Sequence, residues 1–191
     1  MKTHLSNARR DDIGHEPTDL MLLSDPLDFI AEDHLRIRAV CETMDRIAQA
    51  DHPTREGLFE ATDFLQNELP LLLRDEDEDL FAHLSARCLP EDAIEPVLQR
   101  FRDDHATAYR GIHDLVDMLH AILNQSRGAR PDERLQLTAF AALLRRQMIV
   151  ENAIIMPLAR RRLTEEDLVR MRGRMIQRRG LDRLYGTPHA E

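Results

Sequence analysis

Apolar residues recur along this chain in alternating steps of three and four, the spacing that lines up on one face of a helix. The first such stripe follows "SDPLDF", where Asp25 stands before Pro26 as a helix start. It runs through Ile30, Ile37, Cys41, Met44 and Ala48 and ends near "QADHPT" at Pro53. A second helix is predicted over about 54–88, kinked at Pro70. "CLPEDA" breaks it, and a third helix runs to about Gln125. "SRGARPDE" then supplies a turn with Gly128 and Pro131, and a fourth helix covers about 132–162. A fifth starts at "LTEEDL", where Thr164 and Asp167 have capping-box spacing, and ends at Gly180. Short connections place successive long helices antiparallel. The pattern therefore predicts an all-α fold, an up-down-up-down four-helix bundle with an extra C-terminal helix packed outside it. Residues 1–24 are polar and aperiodic and are expected to form a mobile N-terminal arm; 25–162 form the bundle, and 163–191 the C-terminal helix and tail.

Composition agrees with this reading and narrows the function classes. The 191 residues suit about one domain, and strand-favouring aromatics are scarce, with no Trp, two Tyr and six Phe. A net charge of -9 argues against a general nucleic-acid binder. No apolar run approaches the ~18 residues of a membrane span. Cys41 and Cys88 form neither a CxxC nor a disulfide framework, and "MKTHLSNARRDDIGHEPTD" lacks the apolar core of a secretory leader. A reducing, cytoplasmic location is the expectation.

Each bundle stripe is broken once by an ionisable residue: His34, Glu76, His105 and Glu151 in turn. Glu76 lies within "DEDED", residues 75–79. Spacing from Leu72 and Leu80 turns Glu76 inward and Asp77 and Glu78 outward, with Asp75 and Asp79 at the margins, so most of this run is expected to be solvated. The halves also echo one another: "EDH" at 32–34 matches "DDH" at 103–105, and His34 precedes Glu76 by nearly the same distance as His105 precedes Glu151. The four side chains should meet at one level of the bundle. Buried ionised groups cost several kcal/mol when unpaired. Two arrangements relieve that cost. One is a metal ion, since imidazole with carboxylate suits iron, manganese or zinc. The other is a pair of buried His–Glu ion pairs.

The phrases "EDH", "ELPLLLRDEDEDLF", "DDH" and "ENAIIMPLARRRLT" resemble the hemerythrin-like (HHE cation-binding) family over about 25–179. The resemblance implies a four-helix bundle holding a non-haem di-iron centre, used for oxygen binding or sensing, for nitric oxide and redox responses, or for iron handling and stress repair. It implies metal ligation by His34, Glu76, His105 and Glu151. It also exposes a departure. In the family each of the two glutamates ends a His-x-x-x-Glu motif, but Leu72 and Gln147 stand where those histidines would be. Six protein ligands fall to four, enough for one iron ion, or for two completed by water and by nearby Asp75, Asp79 or Tyr109.

The sequence thus points to a cytoplasmic hemerythrin-like protein with a two-His, two-Glu iron site whose open positions suit oxygen, nitric oxide or peroxide. The alternative is a metal-free bundle acting as a scaffold for a protein partner. No nucleophile elbow, phosphate loop or Cys–His pair marks a catalytic or organic-cofactor site. The remaining histidines, His83 and His113 among them, read as structural or exposed. Nine arginines lie between 160 and 183. They are expected to be solvated, with Leu168, Met171 and Met175 packed on the bundle; docking of an acidic or phosphate-bearing partner is the other reading.

Overall fold

The computed structural model describes residues 14–182, and helices build it; among these residues there is no strand. Helix α1, Pro26–Gln49, starts where the Asp25 carboxylate accepts hydrogen bonds from the Leu27 and Asp28 N–H groups. Helix α2 (55–87) consists of Arg55–Asp63, Leu69–Asp75 and Phe81–Arg87, joined by single π-turns at Phe64–Glu68 and Glu76–Leu80. Helix α3 is Glu95–Gln125. Helix α4 (131–162) joins Pro131–Val150 to Met156–Arg162 through a third π-turn, Glu151–Ile155. Helix α5, Glu165–Arg178, begins with the expected box: the Thr164 hydroxyl accepts from the Asp167 N–H, and the Asp167 carboxylate accepts from the Thr164 N–H.

Sequence neighbours α1–α2, α2–α3 and α3–α4 pack together, and α4 closes the ring against α1. Large side chains including Phe64, Leu69, Leu80, Phe81, Leu98, Leu119 and Leu137 are fully buried between them. The tight turn before α4 depends on Gly128, where a Cβ would stand 2.8 Å from the carbonyl oxygens of both Ala50 and Asp51. Two of the three π-turns have a proline as their cause. Pro70 and Pro157 each stand six residues beyond a turn's first residue, and each lacks the N–H and the room that a regular helix requires. The turn at Glu76 has no such proline. Single π-turns mark functional positions more often than chance.

Two expectations need correction, and the stretch assigned to the N-terminal arm has local structure over residues 14–24. Leu20–Ser24 forms a 3-10 turn with Leu23 buried, and the carbonyls of Gly14 and His15 accept from buried Arg36. The rest of the expected arm, residues 1–13, lies outside the described residues. Asp75 and Asp79 are fully buried instead of marginal, so "DEDED" is not mostly solvated. The reason lies in α5, which packs on α1, on the 3-10 turn and on 69–80 of α2. Met171 and Met175 are buried as expected, but Arg178 and Arg179, half-buried, are paired to the aspartates rather than solvated.

Candidate metal centre

His34 and His105 lie in the N-terminal halves of α1 and α3, while Glu76 and Glu151 lie in the C-terminal halves of α2 and α4. Antiparallel packing therefore brings all four to the same end of the bundle, each at most 3% exposed. His34 Nε2 stands 3.1 Å from Glu151 Oε2 and 3.8 Å from Glu76 Oε1. His105 Nε2 stands 3.4 Å from Glu76 Oε2. His34, Glu76 and Glu151 each offer a ligand atom within 4.8 Å of the other two. His105 reaches this trio only through Glu76. The four converge as the sequence predicts, with three in one tight group.

Both imidazoles are held from behind. His34 Nδ1 is 3.0 Å from Asn152 Oδ1, and His105 Nδ1 is 2.9 Å from Asp77 Oδ1. Since both partners accept, each Nδ1 carries its proton outward, and in the neutral ring the Nε2 lone pair faces the interior. Asp77 and Asn152 each directly follow a glutamate, but helical spacing turns Asp77 outward, so periodicity alone does not mark it as a partner of His105. His105 is further fixed by aromatic rings. Phe81 stacks on it at 5.7 Å between centroids, and Phe101 meets it edge-on at 6.0 Å.

What these groups lack is as informative as what they contact. His34 Nε2, His105 Nε2 and Glu151 Oε1 are buried with no hydrogen-bond partner among the described residues. Buried polar atoms are nearly always paired, and three orphans at one level call for an occupant. The donor types, imidazole nitrogen and carboxylate oxygen, fit a transition-metal ion. A family model, the hemerythrin HHE cation-binding domain, matches residues 25–159.

The chain belongs to the hemerythrin HHE cation-binding family. Searches of curated proteins and of solved structures returned no match. Against the family pattern, Leu72 is buried and apolar, and Gln147 is buried with its amide nitrogen unpartnered. Neither restores a histidine. Asp75 and Asp79 are committed to arginines, and the Tyr109 hydroxyl donates to the Pro70 carbonyl at 3.0 Å, so these three do not complete the site. His83 faces Asp167 at 3.6 Å, and His113 is exposed beside Asp117.

The trio's electrostatics give a pH dependence for protein stripped of metal. Burial alone would push the His34 pKa down, but Glu151 and Glu76 outweigh it and hold it up at about 10. Burial, with Glu151 nearby, pushes Glu76 up to about 7. A histidine raised on folding contributes stability in full below its unfolded value of about 6.5, and that contribution is lost as pH rises through the folded value. Glu76 and Asp33, both raised to about 7, have largely titrated by about pH 8. His105 is shifted in the same sense as His34, so both histidines act in the same direction above that. The melting temperature of stripped protein is expected to fall between about pH 8 and 9, and His34→Gln should remove much of that slope. An equal slope in wild type and variant would show that His34 carries no such charge.

Proposed function

We propose that this chain is a metal-binding protein in which His34, Glu76 and Glu151, joined by His105, hold non-haem iron. The observation that carries the reading is the set of inward-facing donor atoms, buried together and unpartnered. Two imidazoles and two carboxylates bring at most two negative charges, which balances one divalent ion. Bound iron would supply reversible ligation of oxygen, nitric oxide or peroxide, or one-electron exchange. The chain's own residues do the rest. Asn152 and Asp77 fix the imidazole tautomers, and the rings of Phe81 and Phe101 dry the His105 side. Leu72 and Gln147 leave positions that no side chain claims, which favours sensing or binding a small molecule, or iron handling. A cytoplasmic setting fits the free thiols of Cys41 and Cys88.

One observation favours a metal-free scaffold instead: buried Leu72 returns a family ligand position to plain core. Elemental analysis separates the two. Protein purified without chelator, and again after anaerobic ferrous loading, is expected to carry near-stoichiometric iron. No metal in either sample would overturn the metal reading and leave two buried His–Glu pairs.

A further inference from the structure

Helix α5 lies beyond the residues the family model matches, yet it contacts both helices that carry the first two ligand candidates. Its C-terminal end, from Arg174 to the capping residue Arg179, presents three arginines to the acidic run around Glu76. Arg178 forks: Nη1 bonds Asp75, while Nη2 lies 2.9 Å from both Asp79 and Glu78. Arg179 Nη2 is 2.6 Å from the second oxygen of Asp75, and Arg174 Nη1 is 3.1 Å from Asp79. The Asp75 and Asp79 side chains are 0% exposed, and those of Arg178 and Arg179 only 7% and 9%. Three carboxylates thus meet three guanidiniums, and the acids on either side of Glu76 are tied to one planar group. Arg179 also lies over the Phe29 ring of α1, 4.7 Å from its centroid, so it spans the helix of His34 and the helix of Glu76.

This contact falls on the π-turn Glu76–Leu80, the one of the three that no proline explains. A helix widened by one residue loses regular hydrogen bonding there and needs a compensating interaction. We infer that α5 is a positioning element for the metal ligand Glu76, with Arg178 bridging Asp75, Glu78 and Asp79 so that the widened turn holds the Glu76 carboxylate facing His34. Arg178 does not touch the donor atoms and acts through the turn. A guanidinium suits this task because its fixed fork bonds two carboxylates at once, whereas a lysine places one point charge. The part of the inference that concerns metal affinity rests on the proposed function; the part that concerns the turn does not.

The test compares wild type, Arg178→Ala, Arg178→Lys and the control Arg172→Ala, whose exposed side chain lies on the same helix. Backbone hydrogen exchange over residues 76–81 is read without metal, and ferrous affinity is read under anaerobic conditions. Arg178→Ala is expected to speed exchange over 76–81 roughly tenfold or more. It should also weaken ferrous binding by about 10- to 100-fold, the usual effect of losing an outer partner. Arg172→Ala should change neither, and Arg178→Lys should recover only part of each, although it restores the charge in full. Should Arg178→Ala fail to fold, the paired change Arg178→Met with Asp79→Asn removes the bridge without leaving that aspartate's charge buried alone, and the same shifts are expected. Exchange and affinity equal to wild type would overturn the inference, as would complete rescue by lysine. If wild type binds no iron, the proposed function fails, and exchange alone decides: faster exchange over 76–81 supports the positioning role, and unchanged exchange overturns it.

Discussion

His34→Ala and Glu151→Ala are each expected to lower iron affinity by more than about 100-fold while leaving the protein helical. Loss of an outer-shell partner already costs about 10- to 100-fold, and these substitutions remove donors themselves. His34 is the point where both glutamates meet, at 3.1 and 3.8 Å, so its loss removes the imidazole nitrogen of the trio. Glu151→Ala takes away a carboxylate with an unpartnered oxygen and leaves His34 facing Glu76 alone. Alanine is the best helix former, so neither change threatens the helix directly. Circular dichroism and metal content measured on the same samples check both halves of the expectation. Full iron retention by both variants would sink the ligand assignment.

The largest expected loss of stability comes from Phe81→Ala. Phe81 is fully buried in the turn of α2 that follows the π-turn, and it packs on Phe101 at 5.7 Å as well as on His105. Truncating a buried phenylalanine costs about 3–5 kcal/mol through lost transfer energy and the remaining cavity. In a chain of this size that corresponds to a fall in melting temperature of roughly 10 °C. Because the same ring stacks on His105, the variant should also bind iron more weakly at a temperature where it remains folded. Phe81→Leu, which keeps most of the apolar volume, should lose much less of both. A stability loss below about 1 kcal/mol for Phe81→Ala would mean that the site's aromatic wall collapses without cost.

Much of the fold was legible because apolar periodicity and caps are local signals. Asp25 before Pro26, Pro53, the Thr164–Asp167 box and Gly180 bound their helices in the structure much as they do in the sequence. The four breaks at His34, Glu76, His105 and Glu151 were legible for the same reason: a charged residue on an apolar stripe has to face inward. How they group was not. Whether His105 joins the trio or stands beside Glu76 depends on the axial register between antiparallel helices, which side-chain packing sets and spacing along one helix does not. The burial of Asp75 and Asp79 escaped the sequence reading because their partners, Arg178 and Arg179, lie about a hundred residues away. Helical periodicity reports which side of a helix a residue faces, and the side facing α5 counts as surface until α5 is docked. The packing of 14–24 was hidden likewise, since it is fixed by backbone carbonyls bonded to Arg36 and not by an apolar pattern.

The most direct test of the central claim is a crystal structure of iron-loaded protein with diffraction recorded at the iron absorption edge. The account predicts an anomalous peak within bonding distance of His34 Nε2 and of carboxylate oxygens of Glu76 and Glu151, with Asn152 and Asp77 still behind the two histidines. Well-ordered density with no anomalous peak at that place, and His34 bonded directly to Glu151, would contradict it.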